Sequence, residues 1–336
     1  MKIVVFDAEP WEQEAFKSLM KVHDVRILQE PLTNKSADEY AEVEILSLFV
    51  HSKASKEVLQ KLPKLQFIAT RSTGYDHIDL NYCHQQGITV ANVPTYGENT
   101  VAEHVFALLL TISHHMYEAI GRTRSGDFSS QGLQGFDLQG KTLGVIGTGH
   151  IGRHVIQIAH GFQMQVLGYD PEPDANLQHT PAFQYVDLNT LFAQSDIISV
   201  HVPANEKTKR MISFEAFGRM KQGVVLINTA RGSVVDTRAL VEALGEKKVL
   251  AAGLDVLPEE PTIREEAELL RTLFHKNHDL EALLADHILL RQHNVFITPH
   301  SAFNTQEAMH RILNTTIENI EGYLAGSPKN LVILQG

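Results

Sequence analysis

Short apolar runs alternate with helical patterns along most of the chain. Residues 2–6 (KIVVF) predict a strand, and residues 11–20 predict a helical stretch. Further strands are expected at 24–28, 44–50, 66–70 and 88–91, with helical patterns between them. Alternation at this pitch implies βαβ units and a parallel sheet. Five strands suit a flavodoxin-like open sheet.

The rhythm breaks at residues 100–120, TVAEHVFALLLTISHHMYEAI, which predict one helix apolar on several faces. Such a helix must be covered on more than one side, by a domain or by another subunit. Gly121, Gly126, Gly132, Gly135 and Gly140 then mark a loop-rich connection. A second series follows, with strands expected at 142–147, 164–170, 196–202, 223–230, 249–256 and 294–299. These runs are mostly apolar rather than alternating, as strands buried on both faces of a doubly wound sheet should be. A helix at about 305–325 closes the pattern.

Composition narrows the class. The 336 residues suffice for two domains, and 43% hydrophobic with 21% charged residues is a globular balance. Lys and Arg total 29 against 40 Asp and Glu, a net charge of −11 that opposes binding to a phosphate backbone. Nucleic acid is not an expected partner. Apolar runs such as 105–110 are too short to span a bilayer, and MKIVVFDAEP carries acidic residues where a signal peptide needs its apolar core. Cys83 is the only cysteine, so no intrachain disulfide and no cysteine-based zinc site can form. A cytoplasmic two-domain protein is the expectation.

The first chemical signal is VIGTGHIG, which contains Gly147, Gly149 and Gly152 in G-x-G-x-x-G spacing. That motif alone is weak. Here it follows a strand, opens a helical run at 151–160 and precedes a second strand ending at Asp170, 23 residues after Gly147. In this context Gly147 permits the turn, Gly149 admits a pyrophosphate and Gly152 lets helix meet sheet. Asp170 would accept the ribose 2′-hydroxyl and repel an added phosphate. Pro171, Glu172 and Pro173 follow it, so no adjacent Arg serves NADP, and NAD is the expected cofactor.

Three further segments place polar groups at strand ends. They are INTARGSVVD with Arg231, GLDVLPEEP with Asp255, Glu259 and Glu260, and ITPHSAFNT with His300. Separately, each fits an ion pair or a structural histidine. Together with RSTGYDHIDL (71–80), NVPTYGENTVAEH (92–104) and HVPANEKTKRMI (201–212), they resemble the D-isomer-specific 2-hydroxyacid dehydrogenase family, most closely its D-lactate dehydrogenase branch. The resemblance spans nearly the whole chain.

It implies two doubly wound parallel-sheet domains. A substrate domain would comprise 1–98 plus 300–336, and a Rossmann NAD-binding domain 99–299, with a homodimer formed near residues 100–120. It further implies that His150, Ile151, Val202, Pro203, Thr229, Ala230, Arg231 and Asp255 join the fingerprint in holding NAD, Asp255 by orienting the carboxamide. Arg231 would grip the substrate carboxylate and carbonyl with its planar fork, and polarise the carbonyl. His300 would supply and remove the proton. An ionised Glu260 beside it would favour the imidazolium. The family pattern puts that acid five residues after the Asp and before a Pro, which favours Glu260 over Glu259.

The 72–74 loop, including Thr73 and Gly74, resembles the one that holds the substrate carboxylate through backbone N–H groups. Tyr96 and Phe303 resemble aromatic walls of lactate-type sites, and Phe49 is a further candidate for the same cleft. Such walls favour a short 2-keto acid, with pyruvate the best fit. No regulatory domain is expected after residue 336. Residues 263–293 form a charged, helix-patterned insert that reads as a surface appendage. Its His275, His278 and His287 match no standard metal spacing, so no metal is expected. Two alternatives stay open: a glyoxylate or hydroxypyruvate reductase of the same family, and an NADH-sensing corepressor-like protein.

Overall fold

The computed structural model describes residues 1–258 and 280–333. The chain separates into two compact units, residues 1–97 with 304–336 and residues 98–303.

The first unit is built on β1 (Lys2–Val5), β2 (Asp24–Ile27), β3 (Ile45–Leu48), β4 (Phe67–Thr70) and β5 (Thr89–Ala91). They form a parallel sheet in the order β2-β1-β3-β4-β5, the flavodoxin-like order. β3 and β4 are buried at every position, Ser47 and Thr70 included, which explains their mostly apolar runs. The helix Gln306–Leu324 completes this unit. Its Leu313 and Ile320 join Ile3, Val5 and Phe67 in one core, and Tyr323 stacks on Phe67 at 4.3 Å. The helical stretch expected at 11–20 is instead a 3-10 turn, Pro10–Glu14, and a single α-turn, Lys17–Met20. Pro10 starts the first piece, where its missing N–H costs nothing.

The second unit holds β6 (Thr142–Ile146), β7 (Gln165–Tyr169), β8 (Phe183–Tyr185), β9 (Ile197–Val200), β10 (Val224–Asn228), β11 (Val249–Leu254) and β12 (Val295–Ile297). The order is β12-β11-β10-β9-β6-β7-β8, all parallel. The order reverses between β6 and β9, the switch point where doubly wound sheets take their ligands. β8, three residues long, has no counterpart among the strands expected from the sequence.

The helix expected at 100–120 is two helices, Glu98–Ser113 and Met116–Arg124. The chain breaks at His115, which takes a left-handed conformation at φ 50°. Phe136 N–H donates to the Ser113 carbonyl at 3.0 Å, which ends the first helix. A side chain on Gly135 would lie 1.9 Å from that carbonyl oxygen, so only glycine lets the returning segment pass. The first helix packs Val105, Leu109 and Ile112 into the core of its own unit. The second buries none of its residues.

Candidate active site

The dinucleotide fingerprint occupies the end of β6. Gly147 has φ +94°, and a Cβ there would meet the His201 carbonyl oxygen at 2.6 Å. Gly152 sits in the first turn of the helix His150–Gly161, where a Cβ would lie 2.1 Å from the Gly147 carbonyl oxygen. Strand, turn and helix are therefore in backbone contact. Gly149 has nothing within 4 Å of where its Cβ would stand, and no side chain caps the helix it begins. Exposed His150 and half-buried Ile151 follow it. An open approach to an uncapped helix N-terminus suits a pyrophosphate.

Asp170 stands just beyond β7. Its Oδ2 accepts the Thr148 N–H at 2.7 Å and the Thr148 hydroxyl at 3.2 Å, while Oδ1 accepts the Glu172 N–H at 3.0 Å. Across the switch point, β9 leads to His201, Val202 and Pro203, and β10 leads to Thr229 and Ala230. The Thr229 hydroxyl oxygen and His201 Nδ1 are buried with no hydrogen-bond partner among the described residues. These orphans follow Asn228 and Val200, which are paired in register. Burial pushes the His201 imidazole down to about 3, so it is neutral at ordinary pH. Buried hydroxyls without partners are uncommon, and a ligand seated at these strand ends would supply one. The open glycine face, the uncapped helix and the orphan hydroxyl together fit a dinucleotide.

β10, β11 and β12 lead to the residues that the sequence singled out, Arg231, Asp255 and His300. Buried Asn228 ends β10, accepting the Ala230 N–H at 3.0 Å and donating to the Arg231 carbonyl at 3.1 Å. This turn presents half-buried Arg231, whose Nη1 also donates to the Ala230 carbonyl at 2.8 Å. A Cβ on Gly232 would lie 2.2 Å from the Leu257 carbonyl carbon, so the chain leaving β11 is packed onto the Arg231 turn.

Asp255, at the end of β11, is 1% exposed. Its Oδ1 accepts the Thr298 hydroxyl and the Ser301 N–H (2.9 Å), and its Oδ2 accepts the Ala302 N–H at 2.9 Å. These partners bracket His300, which is left-handed at φ 52° and donates its N–H to the Thr298 carbonyl at 2.9 Å. Arg231, Asp255 and His300 thus lie at the C-terminal ends of three adjacent strands. Half-buried Phe303 follows in the same unit. Glu260 and its rival Glu259 lie outside the described residues, as do 263–279 of the insert; His287 falls in the helix Leu280–Leu289.

In the first unit, several bonds tie down the loop after β4. Ser72 donates to the Gly74 carbonyl (2.6 Å), Thr73 to the Val93 carbonyl (2.7 Å) and Asn92 to the Thr73 carbonyl (2.9 Å). The Tyr96 carbonyl accepts from Arg311. Phe49 lies under the Arg71 guanidinium, 5.8 Å from ring centre to cation.

Residues 106–302 match the family described as D-isomer specific 2-hydroxyacid dehydrogenase, NAD binding domain. The chain belongs to this family. A D-lactate dehydrogenase from Escherichia coli (strain K12) is 34% identical over 340 residues, covering 99% of this chain and all of the relative. A glyoxylate reductase from Thermococcus litoralis is 33% identical over 343 residues, 99% of this chain and 97% of the relative. The solved structure of a D-lactate dehydrogenase from Aquifex aeolicus, complexed with NAD and lactic acid, matches with a TM-score of 0.86 at 34% identity, covering 99% and 100%. The protein is accordingly an NAD-dependent D-2-hydroxyacid dehydrogenase, similar to D-lactate dehydrogenases.

In this dehydrogenase two further polar groups, one in each unit, were given no role by the sequence. His104 Nε2 lies 3.0 Å from the Thr298 hydroxyl and 3.6 Å from Asp255 Oδ1. Thr298 gives its own proton to Asp255, so His104 is the donor in the first contact. Arg71 is buried in the first unit, where it donates to the Phe6 and Asp7 carbonyls and faces Glu12 at 3.7 Å. Burial pushes the Glu12 carboxyl up and the Arg71 guanidinium down from their usual ranges. His104 bonds a residue 194 positions away and Arg71 one 65 away, beyond the reach of any local pattern.

Proposed function

We propose that the protein reduces pyruvate, or a 2-keto acid of similar size, to the D-2-hydroxy acid with NADH, and runs the reverse reaction with NAD. The observation that carries this reading is the placement of Arg231 and His300 at the ends of β10 and β12, on either side of β11, with the histidine's turn clamped by Asp255 from the end of β11. NADH, when bound, supplies the hydride to the carbonyl carbon. Arg231 binds the carboxylate and draws charge onto the carbonyl oxygen. His300 donates the proton to that oxygen in reduction and accepts it in oxidation. Glu260 favours the protonated imidazole.

Thr73 and Gly74 hold the substrate carboxylate through the tied-down loop, and Tyr96 and Phe303 limit the side chain. NAD is preferred over NADP through Asp170. Val202, Pro203, Thr229 and Ala230 line the cofactor, together with Gly147, Gly149, His150, Ile151 and Gly152, and Asp255 orients the carboxamide with the acceptor capacity left to it. The protein works in the cytoplasm as a homodimer. Met116, Tyr117 and Ile120 are 44%, 74% and 43% exposed on the second of the two helices, which supports that helix as the contact.

A second reading is favoured by one observation. The glyoxylate reductase is almost as similar to this chain as the D-lactate dehydrogenase, so glyoxylate or hydroxypyruvate is the competing substrate. NADH oxidation followed with pyruvate, longer 2-keto acids, glyoxylate and hydroxypyruvate decides between them. The largest kcat/KM is expected with pyruvate. A larger value with glyoxylate or hydroxypyruvate selects the second reading, and binding of NADH without turnover of any substrate selects a sensor.

A further inference from the structure

Along the sequence no cation neighbours Asp170, yet the fold brings one onto the same residue that Asp170 holds. Thr148, 2% exposed, is the centre of a closed set of contacts. The Asp174 N–H donates to Tyr185 Oη at 3.1 Å, and the Tyr185 and Thr148 hydroxyls are 2.8 Å apart. An ionised carboxylate only accepts, so Thr148 sends its proton to Asp170 and Tyr185 sends its own to Thr148. Arg153, in the first turn of the fingerprint helix, closes the set. Its Nε donates to the Thr148 carbonyl at 3.3 Å, and its Nη2 pairs with Asp174 Oδ2 at 3.0 Å.

We infer that Asp174 is a cofactor-specificity residue: by engaging Arg153 it withholds from an NADP 2′-phosphate the guanidinium that would otherwise receive it. This rests on Asp170 as the ribose-binding acid. A cation with a planar fork binds a phosphate through two parallel hydrogen bonds, and Arg153 is that group within the network. While paired it contributes no net charge, and Asp170 with Glu172 leaves the ribose end negative. The Arg153 side chain is half exposed, so the pair is a modest restraint that one substitution can release.

Calorimetric titration of the cofactor-free protein with 5′-AMP and with adenosine 2′,5′-bisphosphate isolates this end of the site. Asp174→Asn is expected to tighten the bisphosphate up to about fivefold while 5′-AMP changes by less than about twofold. Adding Arg153→Gln should abolish the gain, and the NADPH-to-NADH ratio of kcat/KM should move in parallel. An unchanged bisphosphate affinity in Asp174→Asn, a gain that survives Arg153→Gln, or a loss of both ligands would overturn the inference. The last result would make the pair a brace of the loop. The underlying assignment fails separately: if Asp170→Ser leaves 5′-AMP binding intact and the unsubstituted protein already favours the bisphosphate, Asp170 is not the discriminating acid.

Discussion

The buried carboxylate of Asp255 accepts the backbone N–H of Ser301 at 2.9 Å. With Ala302 N–H and the Thr298 hydroxyl also bound, it grips the chain on both sides of His300. A left-handed histidine is uncommon backbone, and this clamp provides the contacts that hold it. Asp255→Asn puts an NH2 group against a backbone donor. The expected cost is about 1–3 kcal/mol of stability. Misplacement of the imidazole should lower kcat on the order of 100-fold, with NADH affinity far less affected. Chemical denaturation and steady-state kinetics measure the two effects, and an unchanged kcat would show that the clamp does not matter to His300.

His300→Ala should lose on the order of 100- to 10,000-fold in kcat, the usual contribution of a positioned acid, while NADH still binds by fluorescence titration. The two carboxylates are separable by pH profile. On the proposed assignment, Glu260→Gln should shift one limb of the pH–rate profile. Glu259→Gln should leave the profile where it was. The opposite pattern would assign the role to Glu259.

Gly232 touches the chain leaving β11 so closely that a methyl group has no room. Gly232→Ala must push the 257–258 backbone away from the Arg231 turn. Turnover is expected to fall on the order of 100-fold while the fingerprint end keeps its affinity for 5′-AMP. Equal losses of both would place the damage in the fold as a whole.

His201 gives a pH dependence with a definite sign. In the fold its pKa is pushed to about 3, whereas the unfolded chain titrates near 6.5. Above 6.5 both states are neutral and nothing is lost. Below it the unfolded chain takes up a proton that the fold refuses, so stability falls by up to about 1.4 kcal/mol per pH unit down to about 3. His201→Gln lacks this term. Its melting temperature should start lower at pH 7 and converge on that of the unsubstituted protein as pH drops to 4. Parallel curves would contradict the burial assigned to the ring.

Much of this was legible in the sequence because local physics decided it. The runs that became β3, β4, β9 and β10 are mostly apolar and buried at every position, since both faces of each sheet are covered. The fingerprint was readable because its glycines answer to contacts inside one strand-turn-helix unit. β8 was not, being three residues in a polar stretch and paired only with β7. The break at His115 depends on Phe136 reaching back to Ser113, and the periodicity of 100–120 carries no trace of it. Likewise, Asp255 was read for its position near a cofactor. Its contacts lie 43 to 47 residues further on, and they assign it a structural task as well.

The central claim is that Arg231 and His300 hold a small 2-keto acid in one orientation, so that one face of its carbonyl carbon accepts the hydride while His300 gives the proton to its oxygen. Chiral chromatography of the product formed from pyruvate and NADH tests it most directly. The account predicts stoichiometric D-lactate, abolished in His300→Ala. L-lactate, a racemate, or no lactate at all would contradict it.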